Sequence, residues 1–437
     1  MKRITHTLLL LMMTSSLTMG QAFITTWKTD NPGTSGSNQI TLPLSGSGYN
    51  FDVNWGDGNI ETGVTNSGPV THTYASPGTY TVSITGDFPS IRFNSGGDKD
   101  KILTIEAWGD IEWQNMDLAF AGCFNLTINA SDAPDLSNVT SLISSFAACK
   151  ALTTGFENWD VSTITDMSFT FFNSPKVNCD LSGWDVSNVT TMSGLFGGNS
   201  LSDFNGDISG WNVSQVTNMS SMFSNAEDFN VDISNWNVSN VTTMQSMFFG
   251  ARSFNRDISG WDVGNVTTMQ SMFFDADSFD QNLGDWDVSA VTNMAQMFGS
   301  SGMTSLNYDR TLLGWSEQSL QNDVELGASG VMYCSSPARQ ALIDNFNWTI
   351  TGDSQSSTCP FVTTWKTDNP GSSNSNQITL PTLAGGGGYN YTVDWGDGNT
   401  DTGVTSSSPN THTYASPGTY TVTISGSFPR FFFNNAG

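Results

Sequence analysis

The 437-residue chain is 37% apolar, enough to bury cores in about two to four domains, which excludes a disordered polymer. Its formal charge is −26 although only 12% of its residues are charged, with 40 Asp and Glu against 14 Lys and Arg. So acidic a surface repels phosphates and anionic headgroups, and nucleic acid and anionic membranes are excluded as partners.

In chain order, residues 1–22 read as a secretory signal: Lys2 and Arg3, an apolar run around LLLLMM, then small residues in TMGQA that suit cleavage after Gly20 or Ala22. No later segment reaches roughly 18 consecutive apolar residues, so export to the cell surface or medium without membrane insertion is expected. Over 23–97, Tyr49, Phe51, Val53 and Trp55 alternate with Asn50, Asp52 and Asn54 and end in a Gly-Asp-Gly-Asn turn. A second alternating run, Tyr80, Val82 and Ile84, is entered through Pro77-Gly78. These signals predict a small antiparallel sandwich. The segments TTWKTDNPG, WGDGN and THTYASPGTYTV recur 338 to 340 residues later, so 361–437 is a second copy.

Between the copies, 98–305 is repetitive. Phe120, Phe146, Phe171, Phe196, Phe223, Phe248, Phe273 and Phe298 are spaced by 25, with one step of 26 and one of 27. Twelve residues before each stands a Trp, except at Pro134; four before stands Met, or Leu142; seven before stands Val or Ile, except at Trp113. Identical apolar residues at a fixed period predict about eight solenoid coils, each covering the next, since no coil could bury its face alone. Within a coil, FNRDISGW suits a short strand, about 4.8 Å from its neighbour in a parallel sheet, and VTTMQSMF suits a short helical or irregular return. The expected fold class is mainly β with short helical returns, a solenoid between two sandwiches. A cap follows at 306–353 and a linker at 354–360.

Two resemblances attach to these residues. WGDG followed by HTY..PGTYTV is similar to the PKD family of immunoglobulin-like modules, over Phe23–Asn94 and Phe361–Asn434. AFAGCFNLTI and the recurring WDVSNVTTM..MF..A..FN.DIS resemble the leucine-rich repeats of BspA-like bacterial surface proteins, over Lys99–Asp353. Cys123 and Cys149 stand in that family's Cys slot, where Ser174, Asn199, Ala226, Ala251, Ala276 and Ser301 stand in later coils, so the slot asks for a small residue. The resemblance implies a leucine-rich-repeat-type solenoid and adhesion to an extracellular protein or glycan.

No catalytic residue is expected. His72 and His412 occupy one position of the two HTY copies, which suits structural hydrogen bonding, and no HExxH, GxSxG, Walker or zinc spacing occurs. Asp207, Asp232 and Asp257, with Ser209, Ser234 and Ser259, fall on one repeated position, a ladder and not the pair that glycoside hydrolysis needs. They form the candidate recognition face, either binding Ca²⁺ or a partner or serving as a solvated edge that keeps the array soluble. No EF-hand spacing is present and no cofactor is expected. Asn188, Asn240 and Asn265 match the glycan acceptor, but recurrence at one slot points to turn chemistry. Cys334 and Cys359 bracket the cap and are the candidate disulfide; Cys123 and Cys149 read as buried thiols, with Cys179 left over. FFNNAG at the end of the second sandwich matches RFNSGG before the first solenoid, so a longer protein with recurring sandwich-plus-solenoid units is expected. Two functions fit: a non-enzymatic surface scaffold, or the accessory region of a secreted polymer-degrading enzyme.

Overall fold

The computed structural model describes residues 20–382, 388–429, 431 and 433. The expected signal, apart from Gly20–Ala22, and most of the closing FFNNAG lie outside them. The chain divides into two compact units, Met1–Val231 and Asp232–Gly437.

The first unit opens with strands β1 (Phe23–Lys28), β2 (Gln39–Leu42), β3 (Asn50–Asn54), β4 (Ile60–Val64), β5 (Val70–Thr73) and β6 (Thr79–Asp87). Strands β4, β3, β6 and β1 form an antiparallel sheet, and β2 pairs with β5. The alternation places Phe51 and Val53 inside and Asn50, Asp52 and Asn54 outside. Next, β7 (Ile102–Ala107) adds to β1 antiparallel, and β8 (Thr127–Ile128) adds to β7 in parallel. The expected boundary at residue 98 thus falls within a continuous sheet. Asp98 and Lys101, just ahead of β7, are both fully buried.

In each unit the 25-residue repeats lie coil on coil in parallel register. The Phe column stacks face to face: Phe171 on Phe196 at 5.7 Å and Phe196 on Phe223 at 6.1 Å in the first unit, Phe248 on Phe273 at 5.7 Å and Phe273 on Phe298 at 6.1 Å in the second. A second Phe lies against several of these rings: Phe204 on Phe196 at 3.6 Å, Phe254 on Phe248 at 4.0 Å and Phe279 on Phe273 at 3.8 Å. The Met and Trp columns are buried beside them. Ring stacking adds about 0.5–1.5 kcal/mol per pair beyond the area removed from water.

The backbone corrects the expected strand and return. FNRDISGW is not a strand, and VTTMQSMF is not helical: coil-to-coil pairing lies in the latter. Parallel bridges join Thr243 to Thr268 and Thr268 to Asn293. Met244, Ser246, Phe248 and Gly250 donate their N–H groups to Thr268, Gln270, Met272 and Phe274 of the next coil. The intervening Met247, Phe249 and Ala251 donate to carbonyls three residues back, so ladder and tight turns share one segment. Ser246 and Gly250, third in the turns Met244–Met247 and Phe248–Ala251, have φ of 54° and 65°, as type II geometry requires. Asn, Asp or Gly at the second of these slots (Asn173, Asn225, Gly250, Asp275) suits that conformation.

The second unit ends its coils in a cap of α1 (Ser305–Ser316), β9 (Glu325–Gly327), β10 (Met332–Tyr333), α2 (Ser336–Phe346), β11 (Thr349–Thr351) and β12 (Ser354–Gln355). The ladder continues through it: Met294 and Phe298 donate to Glu325 and Gly327, and β11 pairs with β9 in parallel. Trp315 of α1 stacks on Phe298 at 6.2 Å. Ser354–Gln355, placed in the linker by the sequence, pairs with β10. The second sandwich comprises β13 (Phe361–Lys366), β14 (Gln377–Leu380), β15 (Asn390–Asp394), β16 (Thr400–Val404), β17 (Asn410–Thr413) and β18 (Thr419–Ser427), with sheet order β13-β18-β15-β16 and β14 on β17.

Among the described residues the fold is mainly β with two helices, neither long and apolar enough to cross a membrane.

Candidate recognition face

The three acidic positions are turn residues. Asp207, Asp232 and Asp257 each accept through Oδ1 from the N–H of Ser209, Ser234 and Ser259, at 2.9, 3.0 and 3.0 Å. In each Asp-Ile-Ser-Gly/Asn-Trp segment the Trp N–H then closes a turn onto the Ile carbonyl at 3.1 Å. This local bonding is why the stretch makes no strand. The Ile and Trp side chains are buried and the carboxylates exposed. At Asp232 the Ser234 hydroxyl, and then its N–H, hold the carboxyl below the usual range. Asp160, Asp180 and Asp185 repeat the arrangement with Ser162, Ser182 and Ser187.

Among the described residues, no three His, Cys, Asp or Glu side chains converge as a metal site. One oxygen of each turn carboxylate is already bonded within its own turn.

The coils of each unit also carry a row of Thr residues that the sequence reading missed. Thr165, Thr190 and Thr217 in the first unit, and Thr267 and Thr292 in the second, each donate both N–H and hydroxyl to the carbonyl of the preceding coil's Thr: 2.9 and 3.1 Å for Thr267 onto Thr242, the same for Thr292 onto Thr267. All are exposed. Their signal was available as a Thr column six residues before every Phe of the column except Phe120, where Gln114 stands. Of the candidate glycan acceptors, Asn188 and Asn265 donate through Nδ2 to Ser162 and Ser239 carbonyls of the preceding coil, at 2.8 and 2.7 Å.

The two histidines sit in matching nests. His72 Nε2 lies 2.9 Å from Asp57 Oδ2, and its ring stacks on Trp55 at 4.8 Å; His412 lies 2.8 Å from Asp397 and stacks on Trp395 at 5.0 Å. Tyr74 and Tyr414 donate to the Trp55 and Trp395 carbonyls at 3.0 and 2.9 Å. Desolvation pushes Asp57 up, but hydrogen bonds from His72 and Asn59 outweigh it and hold the carboxyl at about 2. Both imidazoles are thus committed to a carboxylate and an indole face.

Cys334 and Cys359 are joined by a disulfide with Cα atoms 5.5 Å apart. Cys123, Cys149 and Cys179 are free and buried, and burial raises each thiol, Cys179 to about 12. Such thiols are inert at neutral pH. An open cleft of about 590 Å³ lies between the first sandwich and its first coil, bordered by Asp87, Phe88, Asp110 and Glu112. Asp110 there is bonded to the Gln21 N–H at 2.7 Å.

Residues 114–202 and 199–311 match a family profile described as a Mycoplasma protein of unknown function, DUF285, and residues 364–429 match the PKD domain. No curated protein and no solved structure matches the chain. The two profile matches fit an extracellular or surface repeat protein with a PKD-like domain beside its repeats.

Proposed function

We propose that this chain is a non-enzymatic recognition scaffold exported to a bacterial surface, a BspA-like, leucine-rich-repeat-type solenoid held between PKD-like modules. It engages an extracellular protein or glycan. The observation that carries this reading is the recurrence of exposed groups along the coils of each unit: a Thr six residues before the Phe of every coil but the first, and Asp-x-Ser turns at Asp207, Asp232 and Asp257, over a recurring apolar interior. Such an array offers many equal weak contacts to a polymeric or repetitive ligand, where avidity supplies the affinity. The imidazoles and cysteines are occupied or buried, and the polar groups that recur on the coil surface are hydroxyl, amide and carboxylate.

The test is binding of the mature chain to glycan and matrix-protein arrays, beside the variant Asp207→Ala, Asp232→Ala, Asp257→Ala. Saturable binding weakened tenfold or more in the variant supports the acidic turns as contact surface. Full retention moves the contact elsewhere on the coils, and hydrolysis of a bound polymer would replace the scaffold reading by an enzymatic one.

A further inference from the structure

The order of residues leaves two places for the secretory signal to end, after Gly20 or after Ala22, because both are small. The fold treats the two residues between those cuts as part of the first sandwich. The Gln21 N–H donates to Asp110 Oδ2 at 2.7 Å, and the Asp110 N–H donates back to the Gln21 carbonyl at 2.9 Å. This reciprocal pair extends the pairing of β1 with β7, in which Ile24 lies opposite Ala107. Gly109 is fitted to the same contact. Its φ is 66°, and a Cβ there would stand 2.4 Å from both the Ala22 carbonyl carbon and the Gln21 carbonyl oxygen. Only a residue without a side chain lets Gln21 and Ala22 lie so close.

The surroundings suit a positive charge on the Gln21 nitrogen. Asp110, whose carboxylate that nitrogen touches, is exposed. Asp87 and Glu112 border the same open cleft as Gln21, and no lysine or arginine stands among the described residues lining it; Arg92 lies in the neighbouring recess with Ser90 and Asn115. A cut after Ala22 would discard both bonds to Asp110. It would also put the new ammonium on Phe23, which is 1% exposed and packed against Phe88, Trp108 and Trp113. A charge on a residue so placed costs free energy of desolvation.

We infer that the secretory signal is cut between Gly20 and Gln21, and that the Gln21 ammonium released by the cut stays on Asp110 as an ion pair fastening the first residue of the mature chain to the opening of the first coil. The inference rests on the export reading of residues 1–22. The cut is a hydrolysis by a peptidase of the export pathway: water adds to the Gly20 carbonyl carbon, the C–N bond to Gln21 breaks, the carboxylate leaves with the signal, and the amine takes up a proton. A neutral N–H bond to Asp110 thereby becomes a charge-assisted one. The pair also shields Gln21 chemically. An N-terminal glutamine cyclises when its amine attacks its own side-chain carboxamide carbon, forming a lactam and releasing ammonia. A nitrogen that Asp110 keeps protonated has no lone pair for that attack.

The test is expression of the whole precursor in an exporting bacterial host, with the N-terminal peptide of the exported chain read by mass spectrometry. Uncyclised Gln21 is the expected first residue. Asp110→Asn keeps the shape and an acceptor but not the charge, so the folded variant, with the circular dichroism of the parent, should cyclise about tenfold faster at neutral pH. Phe23, or any residue other than Gln21, at the start of the exported chain would overturn the inference and leave the export reading standing. A parent already cyclised on export, or equal rates in parent and variant, would overturn the ion pair. A chain that keeps Met1 and stays in the cytoplasm would remove the export reading, and this inference with it.

Discussion

Thr267 gives both its backbone N–H and its hydroxyl to one acceptor, the carbonyl oxygen of Thr242 one coil earlier, at 2.9 and 3.1 Å. The hydroxyl is the dispensable half, because the N–H alone satisfies that carbonyl. Thr267→Val, which keeps the branched shape, should therefore cost only about 0.5–1 kcal/mol, a lower urea midpoint at unchanged slope. A midpoint equal to the parent's would show that the hydroxyl row contributes nothing to cohesion.

Two tryptophans of the same column should respond differently to Phe. Trp286 donates through Nε1 to the Ile258 carbonyl at 3.0 Å, whereas the buried Trp159 Nε1 has no hydrogen-bond partner. Trp286→Phe removes a buried hydrogen bond but leaves the Ile258 carbonyl bonded to the Trp261 N–H, and should destabilise by about 0.5–1.5 kcal/mol more than Trp159→Phe. Equal losses, measured by denaturant unfolding of both variants, would mean that volume alone sets the cost.

The pair of Asp57 and His72 gives a pH dependence with a definite sign. The Asp57 carboxyl titrates at about 2 in the folded chain against 3.8 ordinarily, so the stability it supplies is fully present above about pH 4 and is lost as pH falls through about 2. Melting midpoints of parent and Asp57→Asn should differ at pH 5 and converge toward pH 2. A gap that widens on acidification would reverse the assignment.

The bridge between Cys334 and Cys359 closes a loop of 25 residues that contains α2, β11 and β12. Loop-closure entropy for that length is about 3–4 kcal/mol. Cys334→Ser with Cys359→Ser should loosen the cap first, seen as faster amide exchange in Ser336–Phe346 before the coils are affected. Unchanged exchange there would mean that packing on Trp315 suffices.

Millimolar Ca²⁺ should leave the melting midpoint unchanged, because the Asp232 and Asp257 carboxylates are each engaged by their own turn. A rise that grows with Ca²⁺ concentration would be the linkage signature of a bound ion and would restore the cation reading of the acidic turns.

Much of this architecture was legible because it is periodic. The Phe, Met and Trp columns mark an interior that no coil closes alone, and Tyr49, Phe51, Val53 and Trp55 mark a strand with one wet face. The secondary structure inside the coil was not legible: FNRDISGW carries strand-like alternation, but its Asp, Ser and Gly bond locally and turn the chain. The Met-Phe stretch, whose spacing suits a helix, is instead pulled into ladder bonds with the next coil. Of the candidate site, the acidic positions were visible as a column, while their role as turn acceptors depended on backbone direction.

By itself the sequence determined the repeat, its buried columns and the duplication of the sandwich, since period and alternation are properties of order along the chain. Only the tertiary structure decided which backbone groups pair between coils, and that Asp98 and Lys101 lock β7 onto the first sandwich. Those outcomes depend on which distant atoms meet with water excluded.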